Sequence, residues 1–230
     1  MCTKKTKPNR SAKIMSFISR LFKSHTQEGT LIKDPNGPHT LGGKPSAQLT
    51  LPKLDGSPVV YFGTLNRDVP LLDSLDFDLA LVCPLFIDLQ VPVFLDYSDP
   101  NRPQIIQDNV STNFAPLFDD IPASTYVEYQ EIGFKLDRKK PHRMDQVYPG
   151  EVGHFGTPNW IHEDLTPTCP ISGKPMEFLL QLGDIDDAKT IHGQEVLDKE
   201  YIDPYLHFGH GYLYVFFQAD TKVIAYLNQL

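Results

Sequence analysis

A run of six residues near the end of the chain, from Tyr212 to Phe217, carries a large apolar or aromatic side chain at every position. Side chains along a β-strand point alternately to the two faces of a sheet. A strand without polar positions therefore predicts a central strand that is covered on both sides. A second apolar run, Lys222–Leu227, follows after Ala219-Asp220, and the two runs predict a β-hairpin. The fold must place other residues over both faces of this hairpin.

Proline supports a strand-rich fold. The chain has 20 prolines, a high proportion for its 230 residues. Proline lacks a backbone N–H and fixes φ, so it breaks helices and concentrates in loops and at strand ends. Further strands are predicted at Val59–Thr64, Val91–Tyr97, Tyr126–Leu136 and Met176–Leu182, while Phe77–Phe86 fits either a strand or a buried helix.

Two of these strands carry a local irregularity in the sequence. Pro92 makes Val91–Tyr97 an edge strand or a strand that begins late. The alternation of apolar and polar residues in Tyr126–Leu136 slips near Glu131, which predicts a β-bulge.

A weak internal repeat relates the two halves of the chain. In each half a Gly-x-Pro turn precedes an apolar strand, and an aliphatic-aromatic strand follows. The matching pieces are Gly43-Lys44-Pro45 and Gly156-Thr157-Pro158, then Val59–Phe62 and Met176–Leu180, then Val93–Tyr97 and Val215–Ala219. The repeat predicts an α+β fold of mostly antiparallel sheets, with two pseudo-duplicated halves, about 40–135 and 150–230, that share one core.

Charge divides the chain near residue 27. Residues 1–27 hold seven basic side chains and no acidic one, whereas 28–230 hold 14 basic and 29 acidic side chains, a net charge of −15. We expect 1–27 to be a basic tail and 28–230 to be a single domain. An acidic body argues against nucleic acid as a partner, because phosphate binding needs a cationic field. It suits a basic partner, or it serves only solubility.

Within the tail, five apolar residues recur at helical spacing and predict a short amphipathic helix: Ile14, Phe17, Ile18, Leu21 and Phe22. A basic helix of this kind can lie on an anionic membrane surface. We favour docking on the domain instead, because only about three turns are available. The chain has no apolar run of 18 residues and no disulfide framework among its three cysteines, which indicates a reducing, cytoplasmic location.

The stretch Gly150–Leu182 contains the only tryptophan, Trp160, and also Cys169. The segment from Cys169 to Gly173 resembles a zinc knuckle, but Ser172 stands where a second cysteine ligand is needed. We therefore interpret the segment as a turn held by packing, and we expect no metal and no cofactor. Trp160 is either a plug over the core or an exposed anchor in a binding groove.

The segment after this stretch is acidic, and we predict a surface loop with one helix over Gln194–Ile202. Its seven carboxylates are Asp184, Asp186, Asp187, Glu195, Asp198, Glu200 and Asp203. Clustered charge of one sign speeds association with a partner of opposite charge. The predicted partner-binding residues are Asp184, Asp186, Asp187, Glu195 and Asp198, together with Trp160.

Several short motifs occur in a fixed order over about residues 40–230. They are Gly42-Gly43-Lys44-Pro45, Gly156-Thr157-Pro158-Asn159-Trp160, Cys169-Pro170, Gly173-Lys174-Pro175-Met176, the strand Phe178–Leu182, and the Gly-rich turn Phe208-Gly209-His210-Gly211 leading into Tyr212. In this order and spacing the chain resembles the YwqG-like family of bacterial proteins. It departs from the family pattern at Tyr61–Thr64, where the family often has a strand that ends in Ala-Gln.

The resemblance implies a mixed, mostly antiparallel α+β fold and no established catalytic activity, and the chain has no phosphate loop or nucleophile elbow. Some members lie in bacterial toxin loci, where they look like immunity proteins. We therefore expect a non-enzymatic immunity protein that covers a cognate, basic toxin with its acidic surface. The alternative is a housekeeping YwqG-like module that binds a peptide or small molecule in the groove between its halves.

Overall fold

The computed structural model describes residues 28–54, 58–67, 75–84, 91–106, 125–138, 150–199, 205–206, 208 and 211–229. These residues form fourteen strands and one helix of six residues. The α+β prediction is therefore wrong, because the described part of the chain is nearly all β. The helix predicted over Ile14 to Lys23 lies outside the described residues.

The strands are β1 Gly29–Lys33, β2 His39–Leu41, β3 Val59–Leu65, β4 Leu79–Pro84, β5 Val93–Asp96, β6 Gln104–Ile105, β7 Glu128–Tyr129, β8 Ile132–Asp137, β9 Glu151–Phe155, β10 Glu177–Leu182, β11 Ile185–His192, β12 Tyr205–Leu206, β13 Tyr212–Gln218 and β14 Val223–Gln229, with helix α1 at Gln194–Lys199. The strands predicted at Val59–Thr64 and Met176–Leu182 and the predicted hairpin are confirmed. Phe77–Phe86, whose sequence fits either a strand or a buried helix, contains strand β4.

Of the two irregular strands, one follows its sequence signal and the other does not. Strand β5 begins at Val93, directly after Pro92, because proline has no N–H for the ladder. For Tyr126–Leu136 the prediction of one strand with a β-bulge is wrong, because the segment does not remain a single strand. It breaks at Gln130-Glu131 into β7 and β8, which belong to two different sheets.

Eleven strands form one large antiparallel sheet in the order β4-β3-β2-β8-β1-β9-β10-β13-β14-β5-β6, and β12-β11-β7 form a small three-stranded sheet. This order does not repeat between the two predicted halves. Strands β10 and β13 are hydrogen-bonded neighbours, whereas β3 and β5, which the repeat predicts as their counterparts, lie near opposite ends of the sheet. The prediction of two pseudo-duplicated halves is therefore wrong. Turn motifs and apolar strands do recur along the chain, but strands that pair in the sheet are often distant in sequence.

Strand β13 is covered on both faces, as its sequence predicts. Leu213, Val215 and Phe217 belong to one buried cluster, here called the inner core. Tyr214 and Phe216 point the other way, into a second cluster, here called the outer core. The small sheet and α1 contribute Ile185, Ala188, Leu197 and Leu206 to the inner core, so they cover that face of the large sheet.

The large sheet curls until its first strands face its last ones across the inner core. Phe62 on β3 lies edge-on to Tyr226 on β14, with ring centroids 5.9 Å apart. At β4, the terminal strand, the Val82 N–H donates to the Tyr226 hydroxyl over 3.3 Å. The Tyr97 hydroxyl donates to the Ala80 carbonyl over 2.7 Å. Two tyrosine hydroxyls thus satisfy backbone groups of the edge strand, in place of another strand.

Helix α1, the only helix among the described residues, is far too short to cross a bilayer, and no helix of that part of the chain has the length and hydropathy of a membrane span.

Candidate functional site

The acidic segment after Leu182 is a strand and a short helix. Strand β11 occupies Ile185–His192, where a surface loop is predicted, and α1 ends at Lys199. Ile185, Ala188 and Thr190 are buried, and the polar residues between them face outward. The prediction of a loop is wrong because the segment pairs as a strand and buries three positions, of which Ile185 and Ala188 belong to the inner core.

The predicted carboxylates take different positions on this surface. Asp186, Asp187 and Glu195 are exposed, and Glu195 lies in the first turn of α1. Asp198 lies in α1, but its side chain is outside the described part of the structure. Three of the predicted carboxylates thus lie at the surface, on a strand and a helix that follow each other along the chain.

Two of the carboxylates also have partners within the chain. Asp184 is half-buried, and one of its oxygens accepts a hydrogen bond from the Phe208 N–H over 2.7 Å. Asp187 forms an ion pair with Lys33 of β1. Asp184 therefore supports the fold, and Asp187 links the small sheet to the large one, so substitutions at either residue test structure as well as binding.

The outer face of the small sheet carries large apolar side chains that sequence analysis missed. Among the described residues, Ile191 is 54% exposed, Tyr126 is 47% exposed and Tyr205 is 38% exposed. Tyr205 pairs directly with Lys189 of β11, so both side chains lie on the same face. Ile191 stands two residues further along, which places it diagonally from Tyr205 at about 7–8 Å. The sequence does carry a signal for this face, because small and large side chains alternate over 188–191. The acidic residues that precede this stretch obscure the signal.

Tyr126 lies at the opposite edge of this face. Its ring centroid is 6.0 Å from that of His192. Its hydroxyl donates a hydrogen bond to a carboxylate oxygen of Glu128 over 2.5 Å, and Glu128 itself is only 2% exposed. Burial of the hydroxyl, followed by the neighbouring Glu128, raises the pKa of Tyr126 to about 12. Tyr126 is therefore a neutral donor at physiological pH, and its hydrogen bond restrains the ring.

Trp160 lies elsewhere, over the outer core. The indole is half-buried and stacks on Tyr214, with centroids 4.7 Å apart, and on Phe216 at 5.9 Å. The small sheet covers the inner core, on the opposite face of β13. The structure therefore does not bring Trp160 together with the carboxylates of β11.

The loop that carries Trp160 is fastened by two buried glutamines. The Gln181 side chain accepts from the Asn159 N–H over 2.9 Å and donates to the Asn159 carbonyl over 3.2 Å. The Gln229 side chain accepts from the Ile161 N–H over 2.9 Å and donates to the Glu163 carbonyl over 2.9 Å. Each amide thus pairs with loop backbone next to an apolar cluster, and the Asn159 carbonyl accepts a further hydrogen bond from the Tyr214 hydroxyl over 2.6 Å.

The knuckle-like turn at Cys169 also belongs to the outer core. Its Cys169 N–H donates to the Lys174 carbonyl, and the Gly173 N–H donates to the Cys169 carbonyl, both over 2.8 Å. Burial raises the pKa of the Cys169 thiol, but hydrogen bonds to the sulfur from Ser172, Thr221 and nearby backbone outweigh burial and lower the pKa overall. Within the described ranges, no group of three His, Cys, Asp or Glu side chains is placed to hold a metal ion.

Comparisons of the chain with protein-family models, with curated proteins and with solved structures find no match.

Proposed function

We propose that this protein is a non-enzymatic binding protein that holds a basic protein partner on the surface formed by β11 and α1. The observation that carries the proposal is the exposure of Asp186, Asp187 and Glu195 on adjoining elements. Over residues 184–199 five carboxylates stand against two lysines. A field of one sign accelerates association with an oppositely charged protein and disfavours wrong partners.

In the same proposal the partner is a toxin and the chain is its cytoplasmic bacterial immunity protein. This part rests on the resemblance to YwqG-like proteins, some of which lie in toxin loci. An immunity protein acts by covering its toxin, so it needs surface complementarity and no reactive groups of its own. The nearest test is whether the neighbouring gene encodes a basic protein that kills cells unless this chain is made with it.

Charge reversal tests the binding surface. Asp186→Lys with Glu195→Lys changes the net charge by four units without touching the contacts of Asp184 and Asp187. The matched control is Glu163→Lys with Glu177→Lys, two exposed residues on the Trp160 loop and at the start of β10. We expect the first pair to weaken binding of the purified partner by about tenfold or more, with a reduced salt dependence, and the control to stay within about threefold.

The outcomes separate the parts of the proposal. Equal weakening by both variants would mean that net charge alone matters, and no weakening by either would remove the charge argument. Tight binding without protection of cells would keep the binding protein and reject the immunity role. A stoichiometric peptide or small molecule in place of a protein would favour a housekeeping module.

A further inference from the structure

We infer that the outer face of the small sheet is the anchoring centre of the interface, and that the partner presents an apolar patch rimmed by lysine and arginine. This inference rests on the proposed function and adds the residues that supply binding energy. The face is defined here by Tyr126, Ile191 and Tyr205, with Lys189 between them.

Exposed apolar side chains are concentrated at the small sheet. Six large apolar side chains among the described residues are exposed. Two of them lie on β11 and β12, and a third, Tyr126, lies two residues before β7. Exposed apolar groups that are scattered singly need no explanation, but a contiguous patch rimmed by polar residues marks an interaction site. Ile191 and Tyr205 share one face through the β11–β12 pairing, and Tyr126 lies beside His192 at the other edge.

The exposed side chains of this face are restrained by their neighbours. Ile191 and Tyr205 project from paired strands, and the Tyr126 ring is held by its hydrogen bond to the buried Glu128. Restrained aromatic side chains lose little conformational entropy on binding. Tyrosine is also enriched among residues that dominate binding energy, whereas charged rims contribute mainly to association rate.

Charge complementarity identifies the occupant. Exposed Asp186 and Asp187 precede Lys189 and Ile191 on β11, and exposed Glu195 follows them in α1. The chain from residue 28 onward has a net charge of −15. A second copy of the chain would bring two such faces together and repel itself. A partner with an apolar centre and a basic rim satisfies both the apolar side chains and the carboxylates.

The test uses two defined probes with the full chain. One is a peptide of alternating lysine and leucine, and the other is the same peptide with glutamate in place of lysine. We expect the wild-type protein to bind the lysine peptide and not the glutamate peptide in titration calorimetry. Binding of both peptides alike, or of neither, would overturn the inference.

Substitutions then locate the site. Ile191→Thr with Tyr205→Thr keeps strand-forming residues and is expected to weaken binding of the lysine peptide by about tenfold or more. The matched control is Ile161→Thr with Ile171→Thr, which changes one exposed isoleucine of the Trp160 loop and one of the turn at Cys169. We expect this control to change binding by less than about threefold. Equal losses in the two variants would reject the small sheet as the site.

A surface charge change keeps the test decisive if the double variant folds poorly. Lys189→Glu lies on the same face, opposite Tyr205, and is exposed. It removes a cation that opposes a basic partner, so it should tighten binding of the lysine peptide severalfold, and weaker binding would contradict the inference. Sedimentation of the wild type checks the alternative occupant: a dimer that Ile191→Thr with Tyr205→Thr dissociates would assign the face to a second copy.

The same variants separate this inference from the proposed function. If the purified partner binds with unchanged affinity to Ile191→Thr with Tyr205→Thr but weakly to Asp186→Lys with Glu195→Lys, the function stands and the anchoring centre is wrong. If the lysine peptide binds as expected but no basic partner protects cells, the face stands and the immunity role is wrong.

Discussion

The Trp160 loop and the small sheet each cover one face of the large sheet, and each contains aromatic side chains. In the loop, the aromatic ring points inward: Trp160 stacks on Tyr214 and Phe216 over the outer core. On the small sheet, Leu206 and Tyr129 point inward, while Tyr205 and Ile191 point outward. The Trp160 loop therefore uses its aromatic residue to stabilise the fold. The small sheet buries one set of apolar side chains and leaves a second set exposed.

This difference teaches where binding energy is available. Trp160 is the more conspicuous residue in the sequence, but its ring is already in contact with two buried aromatics. Tyr205 and Ile191 are inconspicuous in the sequence and have apolar area free for a partner. An aromatic residue is a candidate anchor only when the fold itself does not use its surface.

The largest expected effect comes from removing the ring on which the loop rests. Phe216 is fully buried and touches Trp160 and Phe178. Phe216→Ala should lower the free energy of unfolding by about 3–5 kcal/mol, because it deletes buried contacts and leaves a cavity. Denaturant titration followed by Trp160 fluorescence measures this loss. A loss below about 1 kcal/mol would mean that the loop does not depend on the outer core.

Acid should destabilise the inner core through His39. His39 is fully buried on β2, its Nδ1 accepts from the Asn66 N–H over 3.0 Å, and burial lowers its pKa to about 4. The unfolded chain binds the proton near pH 6.5 and the folded chain only near pH 4. Stability therefore falls as the pH drops through this window, by about 3 kcal/mol in total, and the contribution is fully present above pH 6.5.

The variant His39→Asn isolates this contribution. Asparagine keeps an acceptor near the position of Nδ1 but does not titrate, so the decline between pH 6.5 and pH 4 should become shallower by about 3 kcal/mol. Unfolding free energies at several pH values measure the difference between the two proteins. Parallel pH profiles would show that His39 does not carry the acid sensitivity.

The hydrogen bonds of Gln181 should contribute less to the free energy of unfolding than the packing of Phe216. Gln181→Met keeps the volume but leaves the Asn159 N–H and carbonyl without this amide, at a cost of about 1–3 kcal/mol. Gln104→Met is the matched control, since Gln104 is exposed on β6 and its replacement should cost less than about 0.5 kcal/mol. Thermal unfolding compares the two, and similar losses would contradict a fastening role.

The smallest stability effects should occur on the outer face of the small sheet. Tyr205→Thr and Ile191→Thr change exposed side chains and create no cavity in the inner core. Each should therefore change the unfolding free energy by less than about 0.5 kcal/mol. Chemical denaturation measures this directly. A loss comparable with that of Gln181→Met would show that these side chains support the fold and would break the contrast between the two covers.

Local patterns predicted individual strands well. The apolar run at Tyr212–Phe217 predicts a strand buried on both faces. Pro92 predicts an edge strand or a late start, and β5 shows the late start. Both signals act through the backbone and the nearest side chains. Sequence reasoning failed where tertiary burial outweighs composition, as in β11. Its carboxylates suggest a loop, although Ile185, Ala188 and Thr190 are buried.

The pairing of strands that are distant along the chain could not be predicted from the sequence. Tyr129 pairs with Thr190, and Tyr205 pairs with Lys189, so the small sheet joins three separate parts of the chain. The contact of Tyr126 with His192 follows from that pairing. Hydrophobic periodicity specifies which face of a strand is buried but not which strand lies beside it, so the exposed face could be found only in three dimensions.

The tyrosine hydroxyls at β4 have a consequence for the protein at high concentration. A bare sheet edge is a template on which another chain can add a strand and begin aggregation. At Ala80 and Val82 the backbone groups that would recruit such a strand are already occupied by Tyr97 and Tyr226. Two phenol groups thus guard this edge against intermolecular strand addition, a role that lysine or proline fills at many other edges.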